Sequence, residues 1–173
     1  MKKESILMVV TAVDQLNADY IMQDPEILEE FEWASHYLRE GKVKMAAWCF
    51  RRAKEKVEQF GLFRLTPANI RVGDGVTVNL WSDRYAATVI KVTKSSVTVR
   101  RDKATLNPDF KPEFIPGGFV AHCTNQEEQS YTYEPDESGT VYTFRWSNKY
   151  QRYGQPGNLS LSKGRHEFYD YNF

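Results

Sequence analysis

A neighbouring histidine and cysteine are the first residues in this sequence whose types suggest chemistry. His122 and Cys123 could bind a metal ion or form a nucleophilic pair. On a strand, however, adjacent side chains point to opposite faces, so the two would not readily meet one metal ion. The sequence has no Cys-x-x-Cys or His-x-x-x-His spacing. We therefore expect a packed Cys123 and no metal, cofactor or catalytic residue, with a zinc site and a Cys–His nucleophile as alternatives.

Four aspartates offer a second possible chemistry, because two carboxylates that meet can hold Mg²⁺ in a nuclease. They are Asp74, Asp83, Asp102 and Asp109. Each also suits a turn, where an aspartate accepts hydrogen bonds from nearby backbone N–H groups. Their spacing does not require a shared metal, so a metal-dependent nuclease is an alternative and turn residues are the expectation.

A third group of residues suits contact with phosphates and bases. Trp81 and Tyr85 flank Arg84 near a predicted loop tip, where aromatic rings can stack on bases while cations contact phosphates. Arg51 and Arg52, on a predicted helix, could extend the positive surface. The remaining predicted binding residues are all cations of one segment: Arg71, Lys91, Lys94, Arg100, Arg101 and Lys103. The alternatives are a solvated strand face with its aromatic rings turned inward, or a protein partner.

The charge distribution supports this segment as the candidate surface. The whole chain is balanced, with 23 Lys+Arg and 23 Asp+Glu. Residues 67–112, in contrast, carry 8 basic and 4 acidic side chains, and residues 113–173 carry 5 basic and 8 acidic. A local excess of positive charge indicates a surface for an anionic partner, which the net charge alone does not reveal.

The segment that must position these cations reads as a three-stranded antiparallel meander over residues 70–103. Val76, Val78 and Leu80 alternate with polar residues, which is the period of a half-buried strand. Turns are predicted at residues 81–84 and 94–96, and the strands between them are rich in β-branched residues. The pattern resembles small SH3-like barrels of the Tudor and KOW kind.

Before the meander the sequence predicts helices. Ser5 is expected to cap a first helix whose apolar face includes Leu16. Asp24-Pro25 starts a second helix that ends at Gly41, with Glu26, Glu29, Glu30 and Glu32 on its outer face. A third helix runs over residues 42–60, with Gly61 as its C-cap. The second and third form a hairpin, which either packs on the β part or docks a partner.

After the meander the sequence favours loops and one hairpin. Residues 104–119 read as an ordered loop anchored by Phe110, Phe114 and Phe119, and residues 120–125 as a short strand. Residues 130–133 and 140–146 are predicted to pair across a loop, so that Tyr131 and Tyr133 face an aromatic row. Residues 153–160 read as a loop, and the aromatic tail is expected to pair with the meander as the closing strand.

Together these segments predict an α+β protein: an N-terminal helical hairpin or bundle over residues 1–66, packed on an SH3-like antiparallel barrel with an added hairpin over residues 67–173. Two cysteines indicate a reducing, cytoplasmic setting rather than a disulfide framework. The apolar run near the start is short and lacks a small-residue cleavage site, so we expect neither a signal peptide nor contact with a membrane.

Several phrases together resemble a family of small phage and mobile-element proteins of unassigned function. They are "GDGVTVNLWSDRYAATVIKV", "VRRDKA", "GGFVAHCTNQ", "Y-x-Y-E-P-D-x-x-G-x-V" and "GRHEFYDYNF", within residues 70–173. The resemblance implies an accessory protein acting in the host cytoplasm. By analogy it would bind and inhibit a host defence protein or nucleoprotein, as an anti-CRISPR does. A stand-alone DNA- or RNA-binding module is the alternative.

Overall fold

The computed structural model describes residues 2–117 and 121–172, and the protein has the α+β fold that the sequence predicts. The described residues group into two compact units. One runs as far as Asn69 and also includes Asn148–Gln151; the other holds Ile70–Ser147 and the residues from Arg152 onward. Helices make up the first unit and strands the second.

The described part of the first unit contains four α-helices: α1 (Lys3–Val13), α2 (Ala18–Ile21), α3 (Pro25–Arg39) and α4 (Val43–Phe63). The start of α3 is as predicted, because Asp24 accepts hydrogen bonds from two backbone N–H groups of the first turn. Its end is also as predicted. Gly41 takes a left-handed φ of 72°, and the Lys42 N–H donates to the Tyr37 carbonyl at 2.9 Å.

Two predictions about helix ends are wrong. Ser5 lies inside α1, whose N-cap residue is Lys2. Gly61 does not end α4, which continues for two more residues to Phe63. A β-carbon at Gly61 would collide with the carboxylate of Asp14, so this glycine allows close packing of two segments instead of ending a helix.

The core of the helical unit forms where α3 and α4 pack on α1 and α2. Val10, Ile21, Phe31 and Val57 are completely buried there. Leu16, predicted for the apolar face of the first helix, is 57% exposed because α1 has already ended. The prediction is also wrong for Glu30, one of the four glutamates expected on the outer face of α3, because its side chain is buried. Glu30 is 7% exposed and forms ion pairs with Arg52 at 2.8 Å and with Lys56 at 3.0 Å.

The second unit contains the strands β1 (Gly75–Asn79), β2 (Arg84–Val92), β3 (Ser96–Arg101), β4 (Lys103–Leu106), β5 (Phe114–Ile115), β6 (His122–Cys123), β7 (Tyr131–Glu134), β8 (Val141–Ser147), β9 (Arg152–Gln155) and β10 (Leu159–Lys163). Within the described residues, six of them close an antiparallel barrel in the order β1-β2-β3-β8-β9-β10. Each barrel strand therefore pairs with its neighbour along the barrel, and closure leaves no free edge. The predicted meander is its first half.

The barrel core comes from the inward positions of these strands. Val76, Val78, Val97, Val99 and Phe144 are completely buried. Burying each such side chain fully contributes about 1.5–3 kcal/mol relative to leaving it in water. The apolar positions that the sequence shows in β1 and β3 therefore mark the inside of the barrel. The polar residues between them face outward in β3, whereas Thr77 of β1 is buried as well and donates its hydroxyl to the Gly164 carbonyl at 2.7 Å.

Residues 102–140 leave the barrel between β3 and β8 and form two small sheets. β4 pairs with β7, and β5 pairs with β6. The predicted hairpin of residues 130–133 with 140–146 is therefore wrong, because β7 pairs with β4 while β8 joins the barrel beside β3. Residues 104–119 are likewise more than a loop. Phe119 and Val120, which entered the predictions for this region, lie outside the described residues.

The closing strand is also different from the prediction. Residues 153–160, predicted as a loop, contribute to the hairpin of β9 and β10, with left-handed Gly157 and Asn158 in its turn. β10 then pairs with β1 and closes the barrel. The aromatic tail does meet the meander as expected, but it forms no closing strand: among the described residues its β-pairing there is one isolated bridge, between Arg84 and Phe168.

None of the described helices combines the length and apolar character that crossing a bilayer requires.

Candidate functional site

His122 and Cys123 have the opposite orientations that their neighbouring positions on a strand predict. His122 is exposed, and Cys123 is buried at 2% exposure. The backbone of Cys123 is held on both sides by the Asn172 amide, which accepts from its N–H at 2.6 Å and donates to its carbonyl at 3.1 Å. Cys123 therefore serves packing, as expected. Over residues 2–117 and 121–172, no three His, Cys, Asp or Glu side chains converge to hold a metal ion.

The four aspartates that a nuclease would need lie in separate structural contacts. Asp74 accepts the Arg71 N–H at 2.7 Å, and Asp83 accepts the Asp170 N–H at 3.0 Å. Asp102 is buried and accepts both the Thr88 hydroxyl and the Arg165 guanidinium, each at 2.7 Å. Asp109 follows an Asn107 turn, whose side chain accepts its N–H at 3.0 Å. Asp74, Asp83 and Asp109 therefore lie in turns, as predicted. The prediction is wrong for Asp102, whose carboxylate is buried in an ion pair between distant segments.

Three cations stand together on the outside of the barrel. Lys91 of β2 is the cross-strand partner of Thr98 on β3, and Thr98 is in turn the partner of Thr143 on β8. Arg100 follows Thr98 two residues along β3, and Arg145 is the partner of Ser96, two residues before it. Thr98, Arg100, Thr143 and Arg145 alternate with buried residues and so point outward, and Lys91 is exposed on the same face as the cross-strand partner of Thr98. We call Lys91, Arg100 and Arg145 the outer basic face.

Strand geometry fixes the spacing of this face. A direct cross-strand neighbour lies about 5 Å away and a diagonal one about 7–8 Å away, so all three cations surround Thr98 within one short stretch of sheet. The hydroxyls of Thr98 and Thr143 approach to 3.3 Å at its centre. Because the side chains between the cations are short hydroxyls, a ligand can approach the face. Arg100 Nε is buried and has no hydrogen-bond partner among the described residues.

A β-bulge gives Lys91 its position on the outer basic face. The register of β2 against β3 shifts between Val89 and Lys91, so that Ile90 is the additional residue. In a regular ladder continuing from the Val89–Val99 pair, Ile90 would oppose Thr98. Lys91 would then oppose buried Val97 and point into the barrel. The bulge restores the outward direction of the lysine.

The barrel strands as a set are free of acidic residues. Within the described chain they carry no Asp or Glu and seven cations: Arg84, Lys91, Arg100, Arg101, Arg145, Arg152 and Lys163. By sequence, residues 102–140 instead hold eight acidic residues and only two basic ones. The negative charge of the C-terminal third therefore belongs mainly to the segment between β3 and β8, and not to the barrel.

Arg101, although adjacent to Arg100, takes part in a different structure. Its guanidinium lies 3.7 Å from the Tyr85 ring centroid and forms a 2.7 Å ion pair with Glu167. Glu167 is 8% exposed and also accepts the Ala86 N–H at 2.8 Å. Arg165 makes the second ion pair of this region, to Asp102 at 2.7 Å. We call these two pairs, Arg101–Glu167 and Arg165–Asp102, the clasp, because they hold the tail against the barrel.

The clasp also explains Tyr85. Its ring is half-buried beneath Arg101, and this burial raises the pKa of its phenol, although the Arg101 charge acts in the opposite direction. Trp81, its predicted partner in base stacking, has the opposite environment and is 83% exposed. Of the two aromatic residues proposed for stacking, the structure presents Trp81 to solvent and places Tyr85 in an internal contact.

The other predicted cations of the meander are dispersed. Arg71 precedes β1, with its guanidinium donating to the Ile70 carbonyl at 2.8 Å. Arg84 begins β2 and lies over the Phe168 ring at 5.3 Å. Lys94 is exposed in the β2–β3 turn, near the outer basic face. Lys103 belongs to β4 and makes an exposed 3.6 Å ion pair with Glu134.

The two helical arginines belong to the other unit. Arg52 is committed to the Glu30 ion pair and also lies over the Trp48 ring at 4.6 Å, so its charge is largely offset within the helical hairpin. Arg51 is exposed on α4.

An acidic loop borders the outer basic face. The pKa of the Asp136 carboxyl is lowered chiefly by hydrogen bonds from Ser138, with smaller contributions from the charges of Lys103 and Arg100. Asp136 therefore stays ionised beside Arg100. It limits the positive field at one margin of the face and leaves Lys91 and Arg145 as its most open cations.

Arg145 is the member of the face that the sequence-based site omitted. In β8, Arg145 alternates with the aromatic residues Phe144 and Trp146, so its side chain lies on the other face of the strand and points outward. Its neighbours depend on the pairing of β8 with β3, which joins residues about fifty positions apart in the chain.

A search of family models, curated proteins and solved structures finds no match to this chain.

Proposed function

We propose that the barrel unit binds the sugar–phosphate backbone of a nucleic acid through the outer basic face. The observation that carries the proposal is the absence of acidic residues from the described barrel strands, combined with three outward cations around one threonine pair. Fixed cations that replace the counterions of phosphates supply most of the affinity for a nucleic-acid backbone. This proposal assigns binding, without catalysis, to the barrel.

The test is a titration of fluorescent oligonucleotides by anisotropy across a range of salt concentrations. Affinity should fall linearly on a log–log plot, with a slope of roughly −0.7 per phosphate contact for single strands and −0.9 for duplexes. Replacing Lys91 or Arg145 by glutamate should weaken binding and make the slope shallower by roughly one contact each. Both side chains are exposed and outside the clasp, so the fold should be preserved.

The matched control is Lys111→Glu, which changes the net charge equally but lies in the acidic segment between β3 and β8. Its affinity should stay close to that of the original protein. Equal losses for Lys111→Glu and Arg145→Glu would show that only net charge matters and would overturn the assignment of the face. Salt-independent binding would do the same.

A second candidate is an inhibitor of a host defence nucleoprotein, as the resemblance to phage accessory proteins implies. The separation of charge favours it, because a nucleoprotein offers phosphates to a basic surface and basic protein groups to an acidic one. The eight acidic residues of residues 102–140 would be the second contact.

Capture from a bacterial lysate, with and without nuclease treatment, distinguishes the two candidates. A partner complex that survives nuclease and is lost on Arg145→Glu supports the nucleoprotein inhibitor. Recovery of nucleic acid alone, abolished by nuclease, supports the stand-alone module.

A further inference from the structure

Trp81 is an exposed aromatic residue on a fixed backbone. It lies in the turn between β1 and β2, which the Leu80 N–H closes by donating to the Asp83 carbonyl at 3.0 Å. The tail braces the same turn, because the Asp170 N–H donates to the Asp83 carboxylate at 3.0 Å. The ring itself is 83% exposed. A large ring in a tight, doubly anchored turn contributes stacking area at a small cost in backbone entropy.

One more side chain borders the same turn. Arg84 begins β2 directly after it and is held by two backbone hydrogen bonds with Phe168, of 3.0 and 2.9 Å, while its guanidinium covers the Phe168 ring. We call Trp81 and Arg84 the stacking rim. Both have planar groups, which suit the faces of nucleobases.

The rim is poorly suited to holding phosphates by itself. The carboxylates of Asp83 and Asp170 lie at its base, where each accepts a backbone N–H. Their negative charge offsets that of Arg84. The rim therefore provides stacking, while the neutralisation of phosphates falls to the outer basic face.

The two surfaces lie on the same side of β2. Arg84 and Thr88 are four residues apart and so point the same way, about 13 Å apart along the strand. Thr88 is the cross-strand partner of Arg100, the first cation of the outer basic face. Between them the Arg165–Asp102 ion pair covers Thr88. An extended chain of a few nucleotides is long enough to reach both surfaces.

From this arrangement we infer that the ligand of the barrel is single-stranded nucleic acid, with an unpaired base stacked on Trp81. The inference rests on the proposed function and specifies its ligand. A duplex keeps the faces of its bases inside its own stack, so only an unpaired base can use the ring. Stacking accepts any base, because every base has a π-face, so we expect little sequence preference.

The experiment compares labelled single-stranded oligo-dT and oligo-rU with a duplex of equal length, using Trp81→Ala, Trp81→Phe and Trp33→Ala. Trp81→Ala should weaken single-strand binding about 5- to 150-fold, the equivalent of one stacked base. It should leave the salt slope unchanged, because stacking releases no counterions. Trp81→Phe should recover part of the affinity. Trp33→Ala, which removes a half-exposed tryptophan of the helical unit, should leave the affinity unchanged.

The outcomes separate the inference from the proposed function. Duplex binding as tight as single-strand binding, or an unaltered affinity for Trp81→Ala while Arg145→Glu weakens binding, overturns the single-strand inference and leaves the backbone-binding face in place. Failure of every oligonucleotide to bind overturns both.

Discussion

Arg100 and Arg101 show how the strand pleat assigns different roles to two identical neighbours. Successive side chains on a strand point to opposite faces, so only one of the pair can join the outer basic face. Arg100 does so, while Arg101 turns to Tyr85 and the buried carboxylate of Glu167. A double substitution of both arginines would therefore mix a loss of binding with a loss of stability. Lys91 and Arg145 are the residues that test binding alone.

Tyr131 allows a prediction about pH at the residue scale. Its half-buried ring raises the pKa of its phenol to about 12, mainly through desolvation, with nearby Tyr171 and Glu167 adding to the shift. Because the folded state favours the protonated phenol, this contribution to stability is complete below a pH of about 10, the unfolded value, and is lost as the pH rises towards 12. Stability should therefore decrease across this interval.

Absorbance of tyrosinate during an alkaline titration measures the effect. Tyr131→Phe should remove a late-titrating step, and unfolding in denaturant should return that step to about pH 10. A titration of the folded protein that is unchanged by Tyr131→Phe would contradict the assignment.

The tail is an element held mostly by side chains. The Gln129 amide accepts the Tyr169 N–H at 3.2 Å and donates to its carbonyl at 2.8 Å, while the Gln126 side chain accepts the Tyr171 N–H at 3.0 Å. Glu167 likewise satisfies the Ala86 N–H, which a regular strand partner would otherwise do. Side-chain amides and carboxylates thus take the place of a β-ladder.

The clasp should stabilise the whole barrel unit. Glu167→Gln removes the charge that balances Arg101, so we expect a loss of about 1–3 kcal/mol in unfolding free energy. A double-mutant cycle with Arg101→Met should show coupling, because the two groups are in direct contact at 2.7 Å. Urea unfolding measures both quantities.

The Lys103–Glu134 pair provides the control for this cycle. Both of its side chains are about two-thirds exposed, and solvent screens such pairs. Its coupling should be clearly smaller. Equal coupling in the two cycles would contradict a structural role for the clasp.

Charge separation is the main property at the scale of the whole molecule. The chain has a net charge of zero and a sequence pI of about 6.8, yet its barrel strands carry only positive charge. The acidic residues between β3 and β8 provide the balance. Opposite patches on one molecule can attract their counterparts on another, and a net charge near zero does not oppose that attraction.

Solubility should therefore depend on both pH and salt. We expect a minimum near pH 6.8 at low ionic strength and a clear increase with added salt, because screening weakens contacts between exposed patches. Light scattering over a matrix of pH and salt provides the measurement. Arg145→Glu should reduce the self-association at low salt more than Lys111→Glu does. Scattering that is insensitive to salt would exclude such electrostatic association.

The predictions made from sequence succeeded where the deciding interactions are local. The Asp24 cap, the Gly41 helix end and the alternation of β1 and β3 each depend on residues a few positions apart. The prediction of a helix C-cap at Gly61 failed because this glycine is needed for a different reason: it leaves room for the carboxylate of Asp14, 47 residues earlier. The prediction of a β7–β8 hairpin failed because it paired two strands that are close in sequence. The actual partner of β7 is β4, and no local sequence signal reveals that pairing.

The sequence by itself determined the α+β class, the meander and the excess of cations within it, since periodicity, turn residues and charge are written in contiguous segments. Only the tertiary structure decided which cations form one surface. Strand pairing placed Arg145 beside Lys91, a single bulge turned Lys91 outward, and the tail's Glu167 engaged Arg101 in an ion pair away from the outer basic face. Those outcomes depend on contacts between residues distant in the chain, whose free energies are set by pairing and burial and not by neighbouring sequence.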